Sequence, residues 1–503
     1  MLATVHSATL LGVDGYAVTV EVHVSAGLPS FTVVGLPDAS CRESRDRVRA
    51  AILSSGLTWP QKRITVNLAP SGLRKAGSGL DLAIAVAVLV ASDGLTAESV
   101  RGMAFLGELG LDGAIRPVPG AVPLVDALAA EVAVVPVASA VEAWLVGRHR
   151  VRAVANLAEL VGAIREDAPW PDHELPRGPV GALPPPDMAD VRGQPFARKA
   201  LEIAAAGGHH VLLVGPPGAG KTMLAKRLPG LLPNLDHAQA MQATRVHSAA
   251  GLALPPGGLV QRPPFRSPHH SASLVSLVGG GTDALRPGEV SMAAGGVLFL
   301  DELGEFQPSV LDALRQPLEE GVIRVSRARF TVSFPARVLL VAAMNPCPCG
   351  QGGRPGSCHC SDSGRLRYRR RLSGPLLDRF DLRVDVNRPE VGDLLGGQPG
   401  ESTAVVAERV LTARARATER GVSCNAHLEP EALERHTPMT AGATDVLDAA
   451  LRSGKLTARG LARVRRVALT LADLEGREPP LDSNLVGLAL QLRSEPLMDP
   501  VAV

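Results

Sequence analysis

Residues 215–222 constrain the fold of this chain more than any other stretch. They read Gly215, Pro216, Pro217, Gly218, Ala219, Gly220, Lys221 and Thr222, and they match the G-x-x-x-x-G-K-[ST] phosphate-binding loop at every fixed position. The apolar run 211–214 predicts a buried strand before the loop, and residues 223–228 predict the start of a helix after it. This strand–loop–helix context predicts an α/β nucleotide-binding domain.

The chemistry of such a loop predicts ATP or GTP as its ligand. Glycines let backbone N–H groups face the phosphates, and the following helix presents its positive N-terminus to them. We expect Lys221 to reach the terminal phosphates and Thr222 to hold Mg²⁺. The alternative is a simple glycine turn between a strand and a helix, but both flanks and all fixed positions agree with the phosphate loop.

Composition indicates an ordinary globular protein. With 503 residues, 46% of them hydrophobic and 20% charged, the chain is long enough for about three or four domains. The net charge of +2 means that any nucleic-acid binding must come from local basic clusters. The longest apolar run, 82–91, is far shorter than the roughly 20 residues of a membrane span, and the N-terminus lacks the pattern of a signal peptide. We therefore expect a cytoplasmic protein without a membrane partner.

The pattern along the chain predicts four parts. Residues 1–166 alternate short strands and helices, which is typical of a compact α+β domain. Residues 167–188 are rich in proline and predict a stiff linker. Residues 189–387 contain the nucleotide-binding motifs, and residues 388–503 show helical spacing of apolar residues that predicts an all-α domain.

Polar side chains end two further predicted strands. Asp301 and Glu302 follow the apolar run 297–300, which makes them a Walker B candidate: Asp301 would support Mg²⁺, and Glu302 would polarise the attacking water. An acidic pair after a strand is common by itself, but it gains weight downstream of a phosphate loop. Asn345 ends the apolar strand predicted at 337–344 and could orient the water, the role called sensor 1.

Two arginine-rich segments predict contacts with a nucleic-acid backbone. Residues 322–332 alternate apolar with basic or polar residues, which predicts a β-hairpin with guanidinium groups near its tip. Arginines of this kind bind phosphates without reading sequence. The alternative is an edge hairpin that charge keeps soluble. The predicted DNA-binding residues are Arg324, Arg327 and Arg329 of this hairpin and Arg367 and Arg369 of the basic segment 365–371.

Four of the six cysteines fall within one short segment. Cys347, Cys349, Cys358 and Cys360 form two C-x-C pairs, which can present four thiolates to a tetrahedral Zn²⁺. In a reducing compartment such clustering favours a metal over disulfides. His359 could replace one thiolate, and a chance cluster of reduced cysteines is the alternative.

With these motifs in place, the sequence resembles the AAA+ ATPases, within the helix-2-insert clade that includes magnesium chelatase and the MCM helicases. Four segments resemble the YifB/ComM family of magnesium-chelatase-like proteins: 265–270 (FRSPHH), 278–281 (VGGG), 286–289 (RPGE) and 372–381 (LSGPLLDRFD). The resemblance covers nearly the whole chain. It implies an AAA+ module with an N-terminal Lon-like domain (ribosomal S5 domain 2-like) and a C-terminal helical lid.

The resemblance also implies roles for individual arginines. Arg379 matches the arginine finger that reaches the ATP of a neighbouring subunit, and Arg459 matches sensor 2 of the lid. Arg463 lies one helical turn beyond Arg459, so the sequence does not separate the two as sensor 2. For Arg379 and Arg459 alike, the alternative is a surface arginine without a role in ATP hydrolysis. A finger that acts on a neighbour implies a homo-oligomeric ring, which we expect to be a hexamer. The hairpin at 322–332 and the insert at 262–287 would face the pore of that ring; His269 and His270 are expected to pack or hydrogen-bond there rather than bind metal.

Residues 74–81 resemble the K-D-G-P-S-A-G segment of Lon proteases. Gly79 falls on the nucleophile position of that segment, with Ser78 one residue early. No lysine lies between Lys75 and Lys199, so the later lysine of a Ser-Lys dyad is missing. We therefore expect the N-terminal domain to serve assembly or substrate guidance rather than proteolysis.

Together these features predict an ATP- and Mg²⁺-dependent ring motor with a structural Zn²⁺. The resemblance implies action on single-stranded or branched DNA, as a helicase or in branch migration during recombination or natural transformation. Two alternatives remain open: a metal-insertion chaperone like magnesium chelatase, and a protein-remodelling AAA+ ATPase.

Overall fold

A computed structural model describes residues 1–75, 77–174, 185–281, 285–327, 330–351, 358–396 and 398–493. Residues 175–184 of the predicted linker therefore lie outside the described residues. Within the described ranges, no helix combines the length and the apolar character needed to cross a membrane. The four predicted domain ranges remain our proposal for how the chain divides.

The N-terminal part is built on a mixed sheet of seven strands, whose order is β3-β4-β2-β1-β5-β8-β9. Its strands and the short β6–β7 ribbon are β1 (Leu2–Leu11), β2 (Asp14–Ser25), β3 (Ser30–Val34), β4 (Arg63–Ala69), β5 (Met103–Phe105), β6 (Glu108–Leu109), β7 (Ile115–Arg116), β8 (Val132–Pro136) and β9 (Arg150–Val154). Strands β1, β2 and β4 are antiparallel, whereas β1, β5, β8 and β9 run parallel.

Helices cover this sheet, and one of them is buried on all sides. The helices are α1 (Ala39–Ser54), α2 (Asp81–Ala91), α3 (Ala121–Asp126), α4 (Ala140–Trp144) and α5 (Leu157–Ile164). Every residue of α2 is buried, so the longest apolar run of the sequence is a core helix. At its start, buried Asp81 pairs with Arg47 over 2.6 Å, and burial raises the pKa of the Asp81 carboxyl to about 6.

The central part contains a parallel sheet of five strands in the order β11-β12-β15-β10-β16. Its strands and the separate β13–β14 hairpin are β10 (Val211–Val214), β11 (Phe265–Arg266), β12 (Val297–Leu300), β13 (Val322–Arg327), β14 (Phe330–Pro335), β15 (Leu339–Met344) and β16 (Leu382–Asp385). Strands β10, β12 and β15 are buried throughout, which is why they appear in the sequence as continuous apolar runs.

Short helices connect these strands. They are α6 (Pro195–Gly207), α7 (Lys221–Ala225), α8 (Leu228–Leu231), α9 (His237–Ala250), α10 (Leu274–Val278), α11 (Glu289–Met292), α12 (Pro308–Ala313), α13 (Arg315–Glu320), α14 (Asp362–Arg370) and α15 (Gly374–Leu377). The helix predicted from residue 223 begins two residues earlier and ends at Ala225. A second short helix, α8, then follows, with a proline in its first turn.

The C-terminal part is helical, as predicted. Its helices are α16 (Val391–Gly396), α17 (Thr403–Glu419), α18 (Pro430–His436), α19 (Ala441–Arg452), α20 (Ala458–Leu474) and α21 (Ser483–Gln491). Apolar residues of α17, α20 and α21 join one hydrophobic core with α6 and with one face of the parallel sheet. The architecture confirms the predicted fold class: a parallel α/β core with an N-terminal α+β part and a C-terminal all-α part.

The N-terminal sheet is packed against the central part through the turn between β1 and β2. Val13 belongs to the same buried cluster as Val332 and Phe334 of the β13–β14 hairpin. Gly12 approaches the hairpin so closely that an added Cβ would lie 2.3 Å from Val332 Cγ1. A second contact joins Gly120 N–H to the carbonyl oxygen of Ser248 at the end of α9 (2.8 Å).

Candidate active site

The phosphate loop connects β10 to α7 at the carboxyl edge of the parallel sheet. Gly218 and Gly220 adopt left-handed backbone conformations with φ of 77° and 88°, which glycine adopts without steric cost. A Cβ at Gly215 would lie 2.0 Å from the carbonyl oxygen of Val386, just beyond β16. The fold therefore requires glycine where the sequence motif has it.

Lys221 is buried at the start of α7, and its ammonium group makes three hydrogen bonds. Nζ donates to the carbonyl oxygens of Gly215 (2.7 Å) and Pro216 (3.0 Å) and to Oδ1 of Asn345 (3.1 Å). Burial lowers the pKa of this ammonium, although the nearby carboxylates of Asp301 and Glu302 oppose the shift. The lysine thus lies within reach of both the loop backbone and the side chain that follows β15.

Thr222 and Asp301 meet across the sheet edge. Oγ1 of Thr222 donates a hydrogen bond to Oδ2 of Asp301 over 2.6 Å. Asp301 follows β12, and Thr222 lies just after the loop that follows β10. Because β10 and β12 both pair with β15, the two side chains meet at the same edge of the sheet. A hydroxyl and a carboxylate oxygen are the hard ligands that Mg²⁺ prefers. Their juxtaposition fits the predicted Mg²⁺ site.

Glu302 has an unusual backbone and a specific partner. Its φ of 52° lies in the left-handed region, which is strained for a residue with a side chain. Its N–H donates to Oδ1 of Asp301 (2.9 Å). Its half-exposed carboxylate contacts His270, whose Nδ1 lies 3.0 Å from Oε2. His270 therefore lies directly beside the carboxylate of Glu302.

Two further contacts with the loop could not be read from the motifs. Gln194, at the start of α6, donates from Nε2 to the carbonyl oxygen of Ala219 (2.6 Å) and has a φ of 57°. Arg388 donates from Nε (3.3 Å) and Nη2 (3.2 Å) to the carbonyl oxygen of Pro217. The only sequence signal for Gln194 is its place between a glycine and the N-terminal proline of a helix.

Arg379, the predicted arginine finger, is held by its own chain. Its guanidinium donates to the carbonyl oxygens of Pro375 (2.6 Å) and Arg315 (3.1 Å) and pairs with Glu319 over 2.5 Å. The side chain is 7% exposed, and burial lowers its pKa. The structure does not bring Arg379 into contact with Lys221, Thr222 or Asp301 of the same chain.

The two arginines of α20 differ in their surroundings. Arg463 donates from Nη1 to Oδ1 of Asp381 (2.6 Å) and to the carbonyl oxygen of Arg379 (3.0 Å). Arg459 is exposed in the first turn of α20, and within the described part of the chain its side chain makes no ion pair or hydrogen bond. Arg463 is thus engaged in an ion pair with buried Asp381, whereas the side chain of Arg459 makes no ion pair within the described residues.

The four clustered cysteines, which follow Asn345 in the sequence, lie together in the structure. The sulfur of Cys347 is 3.4 Å from that of Cys349 and 3.9 Å from that of Cys358, and the Cys349 and Cys358 sulfurs are 3.6 Å apart. All four ligand atoms, including Cys360, lie within 4.8 Å of one another. Zn–S bonds of about 2.3 Å in a tetrahedron require sulfurs about 3.8 Å apart, so the thiols fit a Zn²⁺ ion.

The cysteine segment touches the phosphate loop. Gly350 packs so closely on Pro217 that an added Cβ would lie 2.4 Å from Pro217 Cδ. On the other side, Tyr368 of α14 is buried against Gly304, three residues after Asp301. The candidate zinc site is therefore part of the wall of the nucleotide site.

The arginines predicted to contact DNA are placed as follows. Arg324 and Arg327 are exposed on β13, where Arg324 pairs with Glu320 and Arg327 donates to the carbonyl oxygen of Gly281 (3.2 Å). Arg367 is exposed on α14. Arg329 and the side chain of Arg369 lie outside the described residues. The described arginines are thus at the surface, and their role stays a prediction.

In the Lon-like segment, Ser78 and Lys75 have separate partners. Ser78 Oγ donates to the carboxylate of Glu108. Lys75 is fully buried and donates from Nζ to the carbonyl oxygen of Pro70. Both residues are engaged in the packing of the N-terminal part.

Three family models of magnesium chelatase match consecutive parts of the chain. The model of magnesium chelatase subunit ChlI matches residues 187–412, that of subunit ChlI of Mg-chelatase matches residues 20–139, and that of the ChlI C-terminal part matches residues 400–493. Together they include the phosphate loop, Asp301 and Asn345, much of the N-terminal sheet and the C-terminal helices.

Full-length relatives extend this similarity. An uncharacterized protein of Mycobacterium tuberculosis is 45% identical over 488 residues, which cover 95% of this chain and 96% of that protein. The protein YifB of Escherichia coli is 44% identical over 497 residues, 94% of each chain. The competence protein ComM of Haemophilus influenzae is 43% identical over 486 residues, 95% of this chain and 94% of ComM.

Proposed function

Because this chain belongs to the YifB/ComM family of magnesium-chelatase-like AAA+ ATPases, we propose that it is an ATP-driven ring motor that acts on DNA, as a helicase or in branch migration. The AAA+ membership implies ATP and Mg²⁺ as cofactors. The competence protein ComM among its relatives favours a role in recombination or natural transformation.

The chain's own residues divide the work of ATP hydrolysis. The phosphate-loop N–H groups and Lys221 bind the phosphates, and Thr222 and Asp301 hold Mg²⁺. A bound Mg²⁺ neutralises charge on the terminal phosphates. Glu302 accepts a proton from the attacking water, and Asn345 orients that water through its amide. The meeting of these side chains at one sheet edge supports this assignment.

The finger and sensor residues complete the site in our proposal. Arg379 would turn from Glu319 toward the ATP of a neighbouring subunit, and Arg459 would reach the phosphates from the lid. Either guanidinium stabilises charge that develops in phosphoryl transfer. The pairing of Arg463 with Asp381 and with the Arg379 carbonyl ties the lid to the segment that carries the finger. These roles require a homo-oligomeric ring, which we propose is a hexamer.

The observation that carries the DNA part of the proposal is the position of the β13–β14 hairpin. It lies in sequence between Glu302 and Asn345, and it presents Arg324 and Arg327 at the surface. Movement of the two site residues would therefore be coupled to a basic hairpin. Exposed guanidinium groups bind the phosphate backbone of single-stranded or branched DNA without reading its sequence.

The cysteine cluster has a structural role in this proposal. A Zn²⁺ ion held by Cys347, Cys349, Cys358 and Cys360 would have no open coordination position, which is the arrangement of structural sites. It would fix the segment between Asn345 and α14 and thereby the basic surface of α14.

A second candidate function rests on the family models, which are named for magnesium chelatase. In that case ATP turnover remodels a partner protein, either to insert a metal or to change its fold. Stimulation of ATP hydrolysis by a protein and not by DNA would favour this candidate.

The test is ATP hydrolysis with and without single-stranded and branched DNA, together with strand displacement and branch migration. We expect stimulation by DNA, and loss of all activities in Lys221→Ala and Glu302→Gln. The double variant Arg324→Ala, Arg327→Ala should bind DNA less tightly, and the salt dependence should fall by about one unit of slope per contact removed. Arg101→Ala, at an exposed arginine of the N-terminal part, is the matched control. Equal ATPase rates with and without DNA would contradict the proposal.

A further inference from the structure

A cavity of about 800 Å³ lies between the N-terminal part and the central part of the chain. Most of its lining belongs to the N-terminal part, while the insert contributes Leu285 and Arg286 and strand β13 contributes Arg327. Arg327 donates to the carbonyl oxygen of Gly281 (3.2 Å), so hairpin and insert are joined at the cavity wall. The cavity is as large as a typical ligand site, and it is separate from the nucleotide site.

Arginines outnumber carboxylates around this cavity. Arg42 and Arg286 are exposed, and within the described residues their side chains make no ion pair or hydrogen bond. The two carboxylates are already engaged: each oxygen of Asp38 accepts a backbone N–H (2.8 and 2.9 Å), and Glu108 accepts the hydroxyl of Ser78. The charged residues of the lining are Asp38, Arg42, Arg74, Glu108, Arg286 and Arg327. This excess of positive charge favours an anionic ligand.

Much of the remaining lining is aliphatic. Leu80 and Leu285 are buried, whereas Leu36 is 40% exposed. The φ of Leu36 is 58°, a left-handed conformation that is strained for leucine, and its carbonyl oxygen is held by the N–H of Lys75 (3.2 Å). Among the described residues of the lining none is aromatic, so the cavity lacks the stacking surfaces that single-stranded nucleic acids use.

Strand β3 leads to this cavity. It lies at the edge of the seven-stranded sheet and pairs with β4, and within the described residues no strand covers its other side. Leu36 and Pro37 of the cavity lining follow directly after β3. An edge strand presents N–H and C=O groups that can pair with an extended peptide. The ligand that fits edge, aliphatic lining and arginines together is therefore an extended polypeptide.

We propose that this cavity binds an extended segment of a partner protein in which aliphatic and acidic residues alternate. The backbone of the segment pairs with β3, its aliphatic side chains contact Leu36, and its carboxylates pair with Arg42 and Arg286. Because Arg327 also belongs to the proposed DNA-binding surface, the bound segment competes with DNA for this guanidinium group. The competition rests on the proposed function, whereas the peptide site does not.

The experiment measures the fluorescence anisotropy of a labelled peptide that alternates leucine and glutamate, titrated with the full chain. We expect saturable binding that weakens with salt, and no binding of the same peptide with lysine in place of glutamate. Arg42→Glu with Arg286→Glu should weaken binding by about tenfold or more. Leu36→Asn, which tolerates the left-handed backbone, should also weaken it. Arg45→Glu with Arg262→Glu makes the same charge change at exposed arginines outside the cavity and should bind as the unmodified protein does.

Equal affinity for the acidic and basic peptides, or unchanged affinity in the Arg42 and Arg286 double variant, would overturn the inference. It would also fail if the acidic peptide did not bind while this double variant lost affinity for single-stranded DNA, because the cavity would then be a nucleic-acid site. Saturating peptide should lower the affinity for DNA by about threefold or more, and an unchanged affinity would refute the competition. A protein that binds the peptide but no DNA would refute the DNA motor and leave the peptide site standing.

Discussion

Lys221 and Asn345 are 124 positions apart in the sequence, yet the lysine ammonium donates a hydrogen bond to the asparagine amide oxygen over 3.1 Å. The contact exists because β10 and β15 are parallel neighbours whose carboxyl ends meet at one edge of the sheet. A group that binds the terminal phosphate and a group that orients water are thereby held side by side.

Replacing Lys221 should abolish ATP hydrolysis. Lys221→Ala removes the only ammonium in the phosphate loop, so we expect kcat/KM for ATP to fall by at least about a hundredfold. The measurement is steady-state phosphate release. Lys226→Ala changes an exposed lysine one turn farther along the chain and should retain the unmodified rate. Substantial hydrolysis by Lys221→Ala would contradict our assignment of the site.

Removing two cysteines should release zinc and also weaken the nucleotide site. We expect Cys347→Ser with Cys349→Ser to lower the metal content from about one Zn²⁺ per chain to nearly none, as measured by elemental analysis. Because Gly350 packs on Pro217, the affinity for ATP should fall as well. Cys41→Ala, at a cysteine far from the cluster, is the control. Purified protein without zinc would contradict the assignment.

If Arg379 acts on a neighbouring subunit, two inactive variants should rescue each other. Arg379→Ala should lose about a thousandfold in kcat, as should Lys221→Ala, but a mixed ring contains interfaces that pair an intact Lys221 with an intact Arg379. We therefore expect mixing the two variants to restore a fraction of the ATPase rate. A mixture as inactive as its components would show that Arg379 acts within its own chain or only in folding.

Stability should fall in mild acid because of His210. This histidine is partly buried, and desolvation lowers its pKa to about 4, while Asp381 opposes the shift. Its Nδ1 accepts the N–H of Leu340 (3.1 Å), which only the neutral ring can do. The unfolded chain, with a histidine pKa near 6.5, binds more protons between the two values, so stability decreases as the pH falls from about 6.5 to about 4.

The measurement for this prediction is chemical denaturation across that pH range. A shift of this size corresponds to about 3 kcal/mol at most. His210→Gln should be less stable at neutral pH but should lose less on acidification. His23→Gln, at an exposed histidine of β2, should follow the unmodified protein. An equal pH dependence in both variants would rule out His210 as the group responsible.

Much of the fold was predictable because buried parallel strands appear in the sequence as unbroken apolar runs. That pattern predicted β10, β12 and β15. The polar residues that follow β12 and β15 predicted Asp301 and Asn345 as site residues. By contrast, β1 was not predicted, since its inward positions include the small Ala3 and the polar Ser7. Strand alternation is weak when the buried side chains are small or hydroxylated.

Contacts between segments could not be predicted in the same way. Whether His270 reaches Glu302 depends on β11 pairing with β12, and no local pattern encodes this pairing. The same holds for Arg379: its motif predicts a finger, but its burial against Glu319 follows from the packing of α13 and α15. The motifs identified the residue types of the site, whereas their mutual distances came from the sheet order.

The β13–β14 hairpin is not an isolated projection, because Gly12 of the N-terminal sheet contacts its residue Val332. An added methyl group at Gly12 would lie 2.3 Å from Val332 Cγ1, so the turn of the N-terminal sheet is packed directly against β14 of the hairpin. If the hairpin moves in the proposed motor, the N-terminal turn must move with it or lose this contact. In the proposed ring, the packing of each N-terminal sheet would therefore limit how far its hairpin can travel.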